Sequence, residues 1–334
     1  MFLIGSWKSN MQAIPTYVVT GATRGIGRAV ATELAGRGFR VFAVGRSVEL
    51  LQSLSEACGS RVTTVAADLC SIAGVEQLLA SVPSDSEIAG LVHSAGSLVP
   101  LQPYEQINMN ELAEHFRIHV GVPIELFNSL SRNRTVKRML FIDSYSASNA
   151  RLGWGAYSIV KAAAQMAARC AAQELPGTRT IRAYPGAVNT RIVDAVLASD
   201  TQTASTFASM REKGEFAEPE DVARFLVALL VDATDELIGS RDVFAYNNPG
   251  DRADVFQLTR SWSSDQTARI AAALFVFVAE AIAWFGRRAI HIIGKGLYLQ
   301  TMWLVTMKRL RDGASLAGCH VLTDSLTQGI RYER

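Results

Sequence analysis

The sequence predicts an α/β protein: a parallel β-sheet doubly wound with helices on both faces. Three observations carry this. Short β-branched runs alternate with longer stretches whose apolar residues recur at helical spacing. Several of the runs are nearly all apolar, as in Val41–Val44 and Leu140–Ile142, which suits strands covered on both faces. The first run leads through a glycine-rich turn straight into a helical stretch. Such an alternation, with right-handed crossovers, leaves the doubly wound parallel sheet as the architecture.

In chain order the strands are expected at Thr16–Thr20, Arg40–Gly45, Arg61–Asp68, Ile88–Ser94, Lys137–Ser144 and Thr180–Tyr184, with a weaker one at Val243–Tyr246. Helices are expected at Ile26–Ala35, Ser47–Ala57, Ser71–Val82, Asn108–Leu130, Gly155–Leu175 and Pro219–Val231. Asn247-Asn248-Pro249-Gly250 interrupts the rhythm with turn chemistry. The domain boundary is therefore set at 250, with a domain over 15–250 and an extension over 251–334.

With 334 residues, 49% of them hydrophobic, the chain can bury the core of one α/β domain and carry an appendage. A net charge of +2 gives nucleic acid no electrostatic footprint. Cys58, Cys70, Cys170 and Cys319 show neither metal-ligand spacing nor a paired framework, so they read as reduced cytosolic thiols and no metal is expected. The apolar start Met1–Ile4 is shorter than the roughly 7–15 residues of a signal peptide, so a cytoplasmic address is expected. The first ten residues suggest no role, and Met11 offers an alternative start.

The first turn reads Thr20-Gly21-Ala22-Thr23-Arg24-Gly25-Ile26-Gly27. Glycines allow the backbone to approach a pyrophosphate, which then sits on the amides of a helix N-terminus. The strand before and the helix after supply the context that this reading needs. The spacing Gly-x-x-x-Gly-x-Gly resembles the loop of the short-chain dehydrogenase/reductase family, whose Rossmann-type domain binds a nicotinamide dinucleotide. The second strand ends in Gly45-Arg46, where an enzyme using NAD would place an acid for the ribose 2′-hydroxyl. Arg46, with Arg24 in the loop, instead suits a 2′-phosphate, and the expected cofactor is NADP(H).

Further motifs extend the resemblance. Asp68-Leu69 matches the family's adenine contact, and His93-Ser94-Ala95-Gly96 stands where the family usually has Asn-Asn-Ala-Gly, with Ala95 and Gly96 small enough for close approach. Pro185, Gly186, Val188 and Thr190 lie in a segment like the one lining the family's nicotinamide pocket. Glu218-Pro219-Glu220-Asp221 resembles a late helix start, and reads physically as acids at a positive helix end.

Tyr157-x-x-x-Lys161 places a phenol and an ammonium on one helical face. A phenol with pKa near 10 is sluggish at neutral pH, and a neighbouring cation lowers it towards the working range. Ser144 lies thirteen residues before Tyr157, at the spacing of the family's catalytic serine, with Ser146 as the second choice. The resemblance implies reduction of a small-molecule carbonyl: Tyr157 donates the proton, Lys161 tunes it and holds the nicotinamide ribose, and Ser144 orients the carbonyl. The family's relay asparagine is replaced by His119, which can also relay protons. A homodimer or homotetramer is expected.

Arg191–Gly214 corresponds to the family's substrate lid, and its Ile192, Val193, Val196, Leu197, Phe207 and Met210 make an apolar cover. Gly153-Trp154 before Ala156-Tyr157, together with Val99-Pro100-Leu101, looks most like sepiapterin- and benzil-reductase-type members. In the extension, apolar Ile270–Gly286 and Ile290–Met307 have basic flanks, so membrane contact through 270–311 is an expectation, against a packed helical appendage. The competing functions are a non-catalytic NADP-binding regulator and a membrane-associated lipid or steroid carbonyl reductase.

Overall fold

A computed structural model of the chain describes residues 14–84, 86–98, 100–199 and 201–257. The expectations placed on the first ten residues and on 270–311 lie outside the described residues. The membrane contact is corrected: among the described residues no helix is long and apolar enough to cross a membrane, and 270–311 carries no assignment.

The strands are β1 (Thr16–Thr20), β2 (Arg40–Gly45), β3 (Val62–Ala66), β4 (Ile88–His93), β5 (Arg138–Ile142), β6 (Arg179–Tyr184) and β7 (Phe244–Ala245). They form one sheet in the order β3-β2-β1-β4-β5-β6-β7, and every pairing is parallel. The helices between them are α1 (Gly25–Gly36), α2 (Val48–Cys58), α3 (Ile72–Ser81), α4 (Met109–Phe116), α5 (Val122–Ser131), α6 (Gly155–Glu174), α7 (Arg191–Leu197), α8 (Gln202–Glu212), α9 (Pro219–Val231) and α10 (Asp235–Gly239). Strand order reverses between β1 and β4, and a ligand crevice opens where neighbouring strands lead away to opposite sides.

The two faces of the sheet bury separate cores, because successive strand residues point to opposite sides. Val19, Val41, Ala43, Val92 and Leu140 pack with α1 and α9 through Leu34, Phe225 and Leu226. Val18, Phe42, Leu91, Met139 and Phe141 pack with α3 and α5 through Leu78, Leu126 and Phe127. Residues 249–257 are helical, so Pro249 and Gly250 of the expected turn begin this helix, and its Val255 joins the first core. Arg138 ties the sheet to α9, donating to the carbonyls of Leu230 at 2.9 Å and Ala233 at 2.8 Å, which satisfies a helix C-terminus.

Two departures from the sequence expectation shape the site. The strands expected to run to Asp68, Ser94 and Ser144 stop at Ala66, His93 and Ile142, and the remaining residues turn into the crevice. The helix expected over 108–130 is interrupted by a π-helical turn, Arg117–Gly121. Pro123 accounts for it: proline has no N–H for the His119 carbonyl four residues back, and its ring would collide with that carbonyl. Widening the turn by one residue relieves the clash.

Phe225 is fully buried at the centre of the first core. Phe225→Ala is expected to lower unfolding free energy by about 3–5 kcal/mol, read by urea denaturation of the full chain, with the slope against denaturant unchanged.

Candidate active site

The carboxyl ends of the strands open into one cleft of about 1380 Å³, larger than the ~300–1,000 Å³ of a single drug-sized pocket. Every residue assigned from sequence to cofactor or chemistry lines it, except Gly27. Gly27 works from beneath: a Cβ there would run into the Gly21 carbonyl. Gly21 itself has φ +67°, and a Cβ would stand 2.7 Å from the backbone of Ser94 and Ala95. The turn therefore closes against β4 only with hydrogens at these two places.

Helix α1 starts without a side-chain cap, whereas α2 and α3 are capped by Ser47 and Ser71. Its first amides face a cleft with no protein acceptor supplied, which fits an anion held on the helix N-terminus. Arg24 and Arg46 are exposed on the same rim. Asp68 stands beyond β3, with Oδ1 accepting from the Cys70 amide at 3.0 Å, and Leu69 is buried beside it. Gly186, with φ +76°, and Pro185, Val188 and Thr190 form the opposite wall after β6. This glycine cradle, open amides and paired cations fit a dinucleotide phosphate.

A threonine hydroxyl ties the floor together. Thr20 Oγ1 accepts from the amides of Ser94 at 3.2 Å and Ala95 at 3.1 Å, and lies 3.1 Å from His93 Nδ1. His93 Nε2 meets the Ile118 carbonyl at 2.9 Å. A carbonyl only accepts, so Nε2 carries the proton and Thr20 donates to Nδ1. The chain from β1 through β4 thus ends in the π-helical turn. That turn presents His119 to the cleft, its Nε2–H donating to the Ser97 carbonyl at 3.0 Å.

At the other side, Tyr157 and Lys161 project from the first two turns of α6, both buried. The Tyr157 ring stands edge-on to Trp154, centroids 5.6 Å apart, and to His119 at 6.5 Å. Burial pushes the phenol pKa up, the neighbouring Ser144 hydroxyl pulls it down, and Asp143 adds an upward push. Sequence reasoning assigns the lowering to Lys161. The Lys161 ammonium donates one of its three N–H bonds to the Ile142 carbonyl at 2.8 Å, and burial brings it down to about 8 while Asp143 pulls it back up. Ser144 begins the turn after β5, its Oγ accepting from the Ser146 amide at 3.3 Å. Ser146 is itself buried in that turn.

The lid segment forms α7 and α8. Ile192, Val193, Phe207 and Met210 line the cleft as expected, whereas Val196 and Leu197 do not. Val196 instead packs in an apolar cluster with Trp154 and Tyr157. Trp154 is anchored by its indole N–H to Thr203 Oγ1 at 3.0 Å. Sequence reasoning missed Asp143 and Arg182, a buried ion pair directly behind Ser144, and Gln165, which joins it. The signal was present: an arginine in the middle of a buried strand needs a partner. Cys58, Cys70 and Cys170 are free thiols.

The profile of the short chain dehydrogenase family matches residues 15–201. A benzil reductase ((S)-benzoin forming) of Bacillus subtilis is 28% identical over 240 residues, covering 66% of this chain and 94% of that protein. Sepiapterin reductase of Rattus norvegicus is 30% identical over 236 residues, covering 64% and 90%. Among solved structures, a short chain dehydrogenase/reductase from Saccharomyces cerevisiae superimposes with a TM-score of 0.65 at 24% identity, over 71% of this chain and 98% of that one. That likeness is one of fold.

His93 and His119 are held neutral, burial taking them to about 4 and about 3. An unfolded imidazole titrates near 6.5. Below that pH the unfolded chain binds protons that the folded chain refuses, so stability is lost as pH falls from 6.5 towards the folded values. At pH 5 the loss is about 2 kcal/mol for each histidine. His119→Gln is expected to gain about this much relative to the parent chain between pH 7 and pH 5. Urea midpoints at the two pH values measure it, and an unchanged difference would refute the buried neutral state.

Proposed function

The chain belongs to the short chain dehydrogenase family, and from that premise we propose that it reduces the carbonyl group of a small molecule with NADPH. The observation that carries the reading is the meeting of Ser144, Tyr157 and Lys161 at one end of a cleft whose other end is an uncapped, glycine-cradled helix start. When bound, NADPH supplies the hydride. Arg24 and Arg46 hold its 2′-phosphate, the open amides of α1 take the pyrophosphate, and Asp68 and Leu69 border the adenine.

The reacting corner is arranged to hand over a proton. Burial keeps the Tyr157 phenol protonated at neutral pH, so it is loaded as an acid. Ser144, whose hydroxyl borders that phenol, orients the carbonyl oxygen between the two. Lys161 is the adjustable cation of the pair: with burial bringing it to about 8, it stays charged at neutral pH, and it holds the nicotinamide ribose. His119 takes the place of the family's asparagine in the proton route as a neutral hydrogen-bonding ring. Trp154, edge-on to Tyr157, and Phe207, tilted against Trp154, favour a flat, conjugated carbonyl compound. The names of the two relatives support that class.

NADPH oxidation is to be followed against α-dicarbonyls, quinones, pterins and ketosteroids. With whichever compound turns over, Tyr157→Phe should keep NADPH affinity and lose activity by about 10²–10⁴-fold. Near-normal turnover would refute the proton-donor role, and tight NADPH binding without turnover of any compound would favour a binding protein. For the cofactor, Arg46→Ala is expected to weaken NADPH about tenfold or more while leaving NADH unchanged, since a charge-assisted hydrogen bond contributes about 1.5–3 kcal/mol. Fluorescence titration of both nucleotides measures it.

A further inference from the structure

Directly behind Ser144 lies an ion pair that the chemistry above does not use. Asp143 follows the last residue of β5, and Arg182 sits in β6; their side chains are 3% and 4% exposed. Arg182 donates twice to Asp143 Oδ2, from Nη2 at 2.6 Å and from Nε at 3.0 Å. The other carboxylate oxygen, Oδ1, accepts the backbone amide of Ser144 at 2.7 Å. Gln165, one turn beyond Lys161 on α6, adds its amide to Oδ2 at 3.3 Å. The remaining guanidinium nitrogen reaches Asp242 at 2.5 Å, and Asp242 is shared with Arg169 at the surface.

A buried ion pair is a poor way to stabilise a fold, because desolvation offsets most of the attraction and packed apolar side chains do as well. This one is placed where its geometry matters to the reacting groups. One oxygen fixes the backbone that carries the Ser144 hydroxyl. The carboxylate charge also bears on both partners of the reacting pair, pushing the Tyr157 and Lys161 equilibria in the same upward direction. Arg182 is the cation that offsets it.

We propose that Asp143 and Arg182 are positioning residues: Asp143 holds the Ser144 backbone, and Arg182, acting through Asp143, sets how much negative charge the Tyr157–Lys161 pair feels. The proposal rests on reading Ser144, Tyr157 and Lys161 as the reacting set. The other charged and titratable groups packed around this corner are His93 from β4, His119 from the π-helical turn and Tyr184 from β6, with Asp242 and Arg169 behind them. Both histidines are neutral over the working range. The Asp143 carboxylate is therefore the charge that bears on both members of the pair, and Arg182 is its ion-pair partner.

Lys161 reports on this without any substrate. The full chain, labelled with carbon-13 lysine, is titrated by NMR, and the Lys161 resonance is assigned by its loss in Lys161→Arg. Asp143→Asn keeps the shape and removes the charge, so the Lys161 midpoint should fall by about half a pH unit or more. Arg182→Met leaves the carboxylate unopposed, and the midpoint should rise by a similar amount; Arg182→Lys keeps the charge and should leave it in place. A purely structural pair would leave all the midpoints at the parent value, and that result overturns the proposal. Should Arg182→Met fail to fold, the isosteric Asp143→Asn alone decides. A chain that reduces no carbonyl compound yet shows these shifts sinks the reading of the reaction and keeps this proposal; turnover through Tyr157 with unmoved midpoints does the reverse.

Discussion

A sheet covered by helices on both faces has no water to satisfy its backbone, so each amide needs a partner inside the protein. The constraint bites hardest where β1 and β4 part to follow helices on opposite sides, because the amides of Ser94 and Ala95 then run on beyond the ladder. Thr20 resolves it by accepting both in one hydroxyl and donating the proton to His93. Three hydrogen bonds exhaust that hydroxyl. The crevice floor, the Gly21 turn pressed against Ser94, and through His93 the carbonyl of Ile118 are all referred to this one atom. The phosphate side and the reacting side of the cleft are therefore built on a common reference.

Much of this was legible because it is local. Val41–Val44 announce a two-faced strand, and the run from Gly21 to Gly27 states its own turn. Tyr157, Lys161 and Ser144 are close in sequence, and the parallel topology leaves them only one end of the sheet to meet at. What could not be read was set by contacts across the chain. The Asp143–Arg182 pair joins two neighbouring strands across 39 residues, and the sequence shows only that Arg182, inside a buried strand, needs a partner, not which one. The helix expected over 108–130 differs for a more instructive reason: apolar spacing hides the extra residue of the π-helical turn, and Pro123, in the interior of that span, is the local sign of an interruption.

The side chains of the reacting corner are buried, and that governs their electrostatics. Burial holds His93 and His119 neutral, keeps the Tyr157 phenol protonated and brings the Lys161 ammonium within reach of neutral pH. Sequence reasoning treated Lys161 as the group acting on the phenol, and its ammonium gives one of its three N–H bonds to the Ile142 carbonyl. The Ser144 hydroxyl pulls the phenol down. In such surroundings a single compensated charge at Asp143 reaches further than it would in water. The rim differs: Arg24 and Arg46 stand in solvent, where a guanidinium attracts a phosphate without needing burial.

The π-helical turn has a consequence for how this cleft tolerates change in chain length. An α-helix advances 3.6 residues per turn and a π-helical turn takes about one residue more, so the extra residue is absorbed within Arg117–Gly121 while α4 and α5 keep their facing. Deleting one residue there would restore regular winding and close the widened turn that brings the Ile118 carbonyl to His93 and His119 to the cleft wall. Length is thus fixed here as firmly as residue identity. The segment can exchange side chains one at a time, but it cannot lose a residue without changing which group faces Tyr157.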